Sequence, residues 1–75
     1  MLKDKRNETG LSQAKLAEKS GVNKRMIEYY EQGSKDINGA HLSTLVDLAV
    51  TLECPIAELL SDKELIEKLK KTTLI

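Results

Sequence analysis

Seventy-five residues, with 12 basic and 12 acidic side chains and no net charge at neutral pH, make one small domain with little margin in its core. No apolar run nears the roughly 18 residues that cross a bilayer, and Met1-Leu2-Lys3-Asp4 opens no signal peptide, so a cytoplasmic location without membrane contact is expected. The single Cys54 excludes an internal disulfide, and the apolar residues, spread along the chain, favour a folded module over a disordered one.

A short basic first segment ends at Gly10, as a helix C-cap would end it. Ser12 offers an N-cap hydroxyl to a helix of about two turns carrying Leu16, Ala17 and Ser20, which Gly21 breaks. Asn23 is the next N-cap candidate, followed by a helix with Ile27, Tyr30 and Glu31 in phase and Gly33 as its stop. Residues 34–40 read as a loop anchored by Ile37.

Residues 41–52 form the strongest amphipathic stretch, which predicts an inward face of Leu42, Leu45, Leu48, Ala49 and Leu52. Pro55 suits the first turn of another short helix with Ile56, Leu59 and Leu60 inward. Ser61 or Asp62 caps a final helix over 62–71 carrying Leu65, Ile66 and Leu69. No strand pattern and no repeat interrupts this series, so the expected class is all-α.

The neutral total hides an asymmetry. Residues 1–35 hold eight Lys and Arg against five Asp and Glu, and residues 36–75 hold four against seven. Polyanion binding depends on which face is basic, so the N-terminal half is where a nucleic-acid surface belongs; ordinary solvated charge explains the count equally well. The order Gln13-x-x-Leu16-Ala17-x-x-x-Gly21-Val22-x-x-x-x-Ile27-x-x-Tyr30 then meets several demands together. A glycine supplies the positive φ of a tight turn, a small Ala17 lets two axes approach, and Val22 and Ile27 fill the wedge.

With these residues in place, GLSQAKLAEKSGVNKRMIEYYEQG (residues 10–33) resembles the Cro/CI-type, or XRE-type, family of helix-turn-helix proteins. It also resembles small bacterial members with the pattern RMIxYYEQG…DIN, and the likeness runs on through LVDLAVTLECPIAELL (residues 45–60). The resemblance implies a compact five-helix, lambda-repressor-like DNA-binding domain over residues 1–60, with its motif at 12–32. Residues 61–75 are then an added helix or tail, a candidate dimerisation element. It implies a homodimeric transcriptional regulator, most simply a repressor, on a double-stranded DNA operator.

Within that motif the second helix, 23–32, enters the major groove and its first turn meets base edges. Lys24 and Arg25 occupy that turn, Arg25 with a planar fork suited to guanine O6 and N7 and Lys24 as a point donor. Tyr29 shares their face and suits a phosphate or a thymine methyl, whereas Tyr30 is in phase with Ile27 and belongs to the core. Glu28 on the same face has three readings: repelling phosphates, accepting from cytosine N4, or holding Lys24 or Arg25 along the helix. The blander reading of Lys24 and Arg25 is a solubilised helix surface.

Gln13, at the start of the first motif helix, suits a phosphate contact or a brace for a recognition-helix side chain. Ser12 and Asn23 each choose between capping and contact, and Lys35 between phosphate and solvent. The N–H groups near Gly39 and Ala40 are further candidates for the DNA backbone. Glu31 resembles the family's structural acid, which implies a salt bridge to Arg6. Lys5, Ser20 and Glu53 depart from the family's usual apolar or glycine choices.

No catalytic constellation, metal set or cofactor motif is found, and no small-molecule effector is evident. His41 lacks partners for chemistry, and Cys54 lacks a positioned base and suits core packing. A rival from another class is a protein-binding module, such as an antitoxin clasping a toxin, with DNA contact secondary. An exposed apolar patch away from the recognition face favours it. The tail with Leu65, Ile66, Leu69, Leu74 and Ile75 is the place to look, its other readings being a helix folded back on the core or a homodimer seam.

Overall fold

The computed structural model describes residues 1–72, and everything below concerns them. Five α-helices follow one another: α1 Leu2–Glu8, α2 Gln13–Ser20, α3 Lys24–Gln32, α4 Leu42–Leu52 and α5 Lys63–Lys71. Two single 3-10 turns, Ile37–Gly39 and Ile56–Glu58, fill the longer connections, and no strand occurs among the described residues. The Pro55 segment, expected as a short helix, is a single 3-10 turn. The fifth α-helix is the C-terminal one.

Local chemistry sets these boundaries. The Ser12 hydroxyl oxygen accepts from the Lys15 N–H at 3.1 Å, and Asn23 Oδ1 accepts from the Arg25 N–H at 2.8 Å, so both cap as the sequence suggests. Asp62 Oδ1 accepts from the Glu64 and Leu65 amides and caps α5. Gly21 and Gly33 close α2 and α3 at φ 78° and 81°. The space around Gly21 is open, so conformation and not crowding calls for glycine there. Ser20, an expected departure from an apolar choice, accepts the Val22 N–H at 3.1 Å and pins the same turn.

The core gathers Leu2, Leu16, Val22, Ile27, Ile37, Leu45, Leu48, Ala49, Leu52, Leu59 and Leu60. α2 lies at the centre, packed on α3 and on α4, while α1 rests on α3 and α5 on the second 3-10 turn. Leu65, Ile66 and Leu69 pack half-buried against the core, so α5 is folded back along the domain. Leu74 and Ile75 lie outside the described residues.

One expected core position is overturned. Leu42 is 69% exposed, although Leu45, Leu48, Ala49 and Leu52 are buried as foreseen. By helical geometry Leu42 stands about 60° round from Leu45, on the shoulder toward Val46 and Val50, and the packed face ends before it. Lys5, where an apolar residue was the norm, ion-pairs with Glu58 and lies 3.5 Å from Glu8. That ties α1 to the second 3-10 turn.

Candidate nucleic-acid interface

α2 and α3 form the helix-turn-helix. Leu16 and Ile27 are fully buried between them, Val22 closes the turn, and Ala17 gives the close approach. With Ile27 inward, α3 has no freedom to choose its outer face. Lys24 and Arg25 are exposed there, with Glu28 and Tyr29 half-exposed beside them, and Tyr30 packs against the core. Asn23, Lys24, Arg25 and Glu28 line one shallow open depression.

The two cations differ in their freedom. Lys24 Nζ lies 3.8 Å from Glu28 Oε1, an exposed pair one helical turn apart. Such a contact is worth about 0.5 kcal/mol or less, so phosphate or a base edge displaces it easily. The Arg25 guanidinium has no ion-pair or hydrogen-bond partner among the described residues. Of the three readings of Glu28, the pairing along the helix to Lys24 is the arrangement present.

Behind this face sits a polar clamp. Arg6 donates from Nε to Glu31 Oε2 at 2.7 Å and from Nη2 to Oε1 at 2.9 Å, and from Nη1 to the Leu11 carbonyl at 2.9 Å. The Gln13 amide donates to the same Glu31 Oε1 at 3.1 Å. Gln13 therefore braces α3 through Glu31, with one of its two amide N–H donors engaged there. The Glu31 carboxylate raises the Arg6 pKa above its ordinary value, chiefly through these hydrogen bonds. The cation is permanent, and the spacing between α1, α2 and α3 is fixed by charge-assisted bonds.

At the far end of α3, the Tyr29 carbonyl accepts from the Ser34 and Lys35 amides, and Lys35 Nζ sits 5.9 Å from the Tyr29 ring centroid. That places a cation over the aromatic face at the edge of the exposed surface. The Gly39 and Ala40 amides, proposed for the DNA backbone, are instead spent on the Asp36 and Ile37 carbonyls. The 3-10 turn consumes them.

The sequence reading missed Asn38. Its Oδ1 accepts from the Ser61 and Asp62 amides at 3.0 Å, and its Nδ2 donates to Asp36 Oδ1 and Ser61 Oγ. One side chain thus joins the loop after α3 to the start of α5. The Asp36–Asn38 pattern signalled a local turn, but nothing in it pointed to a partner 23 residues away.

This arrangement defines a helix-turn-helix domain. A family model described as Helix-turn-helix matches residues 2–59, and the chain belongs to that family, whose work is DNA-binding transcription regulation. No curated protein and no solved structure matches the chain significantly. No helix among the described residues is long and apolar enough to cross a membrane.

Proposed function

We propose that this protein is a sequence-specific regulator that represses transcription by placing α3 in the major groove of its operator. Lys24, Arg25, Glu28 and Tyr29 read base edges, Arg25 foremost. Ser12, Gln13, Asn23 and Lys35 orient the domain on the phosphates, Gln13 by steadying Glu31 as much as by touching DNA. Two copies bind a roughly palindromic site with their recognition helices about 34 Å apart, one turn of DNA. The observation that carries this reading is the Arg25 guanidinium, without a partner among the described residues and exposed on a helix whose opposite face is buried and clamped. Glu28 lies one turn from Lys24 in a weak, displaceable contact, and the planar guanidinium of Arg25 is the side chain suited to fork onto a guanine.

Selecting duplexes from a random pool at two salt concentrations tests it. The expected result is one enriched palindromic motif, with affinity falling steeply as salt rises. Recovery of no motif, with equal binding to every duplex, contradicts base reading.

The rival, an antitoxin-type module, gains one point of support: an apolar patch away from the recognition face is present. It lies on α4, whereas Leu65, Ile66 and Leu69 of α5 pack half-buried against the core.

A further inference from the structure

A tyrosine on the open face of a helix turns between two χ1 settings, near 180° and −60°. The Tyr29 ring is half-exposed, so it must be ordered before it can meet a base edge, and ordering a side chain on binding costs affinity. What orders it here lies beyond the helix. Gly33 takes φ 81° and reverses the chain. The Tyr29 carbonyl then accepts from the Ser34 amide at 2.9 Å and from the Lys35 amide at 3.3 Å. The backbone of Lys35 is thereby pinned to the residue that its side chain reaches. Lys35 Nζ stands 5.9 Å from the centroid of the Tyr29 ring, within the range where the negative face of a ring attracts a cation.

No carboxylate competes for this ammonium, since Lys35 makes no ion pair among the described residues. Asp36, next in the chain, accepts through Oδ1 from the Asn38 amide and side chain. The ring is the one recorded contact of the Lys35 side chain.

We propose that Lys35 is a positioning residue for base recognition, its ammonium holding the Tyr29 ring in the rotamer that meets the DNA. The inference rests on the reading of α3 given above and deepens it. There Lys35 meets phosphate; here it also acts through a neighbouring side chain.

The size of the effect follows from the contact. An exposed cation–π pair biases a rotamer equilibrium by a ratio of about two to five. Where the ring without its cation favours the other rotamer, binding weakens by this whole factor, because only the competent fraction binds. The chemistry also selects the variants. Lys35→Met keeps the length of the side chain and loses its charge. Lys35→Arg keeps a cation, whose planar head stacks on an aromatic face. Tyr29→Ala removes the ring, so in that background only the phosphate share of Lys35 is left.

Two measurements test the proposal. In the free protein, scalar couplings across χ1 of Tyr29 report its rotamer populations. The parent and Lys35→Arg should show one dominant rotamer and Lys35→Met a mixture. On the selected duplex, Lys35→Met should cost about two- to fivefold more affinity in the parent than in the Tyr29→Ala background. It should also relax preference at the same base position that Tyr29→Ala relaxes. Equal χ1 couplings in the parent and Lys35→Met overturn the proposal. Equal losses in the two backgrounds, with base preference unchanged, reduce Lys35 to a phosphate contact and overturn it too. The couplings are read without DNA, so their failure is distinct from the failure of base reading, which shows as the recovery of no preferred duplex.

Discussion

Arg6 on α1 and Glu31 on α3, 25 residues apart, meet in a two-pronged ion pair with bonds of 2.7 and 2.9 Å, and Gln13 on α2 joins the same carboxylate. Their side chains are only 12% and 4% exposed, so water contributes little to solvating either charge. Three helices thus converge on one acid, directly behind the exposed face of α3. Glu31→Gln leaves the Arg6 cation without its counter-charge and is expected to destabilise the domain by about 2–4 kcal/mol. For a domain of this size that lowers the melting temperature by roughly 8–30 °C. Glu28→Gln, which loses only an exposed 3.8 Å contact, shifts it by roughly 3 °C or less. Thermal melts of the two variants check the contrast; equal shifts contradict it.

Asn38 governs the attachment of α5. Asn38→Ala removes two acceptor bonds to the Ser61 and Asp62 amides and a donor bond to Ser61 Oγ. The loss is about 1–2 kcal/mol because these groups are partly reached by water. Its effect is local: amide exchange should quicken across Lys63–Lys71 while α2 and α3 keep their protection. Uniform acceleration over all helices contradicts a local anchor.

Glu53 holds φ at 53°, the one positive φ among the described residues that is not on glycine. A side chain there is strained, and glycine adopts the same conformation at no steric cost. Glu53→Gly is expected to stabilise the monomer by about 0.5–1 kcal/mol, net of the added flexibility of the unfolded chain. Denaturant unfolding at low micromolar concentration reads the change; a lower midpoint contradicts it.

Cys54 is half-buried, and burial is the main cause that pushes its thiol pKa up, with the Glu58 charge adding and Lys5 opposing. The folded chain therefore holds this proton to higher pH than the unfolded chain. The stability tied to it is present below the ordinary thiol range and lost as pH rises through the raised value. Alkylation of the native protein should show its midpoint at higher pH than alkylation in denaturant. Coincident midpoints contradict the assignment.

Much of this was legible in the chain because the signals are local. Ser12, Asn23 and Asp62 cap through bonds to amides two or three residues away, and Gly21 and Gly33 stop helices by their own φ. The Arg6–Glu31 pair was legible through family resemblance. What the chain concealed depends on neighbours far away in sequence. Leu42 has the periodicity of a core residue, but no packed element covers that shoulder of α4. Asn38 looks like a turn residue until α5 returns beside it. Gly39 and Ala40 offered free amides only while their loop was taken to be irregular. On the outer face of α3, periodicity indicated which side chains point outward, but the difference between a paired Lys24 and an Arg25 without a partner among the described residues required the geometry.

The most direct test of base reading by Arg25 is binding of the parent and Arg25→Ala to two duplexes, the selected site and a copy permuted at its most specific position. The parent should prefer the selected site, and Arg25→Ala should lose about 1–3 kcal/mol on it, roughly 5- to 150-fold, while changing little on the permuted one. An equal loss on both duplexes reduces Arg25 to a phosphate contact and contradicts the account.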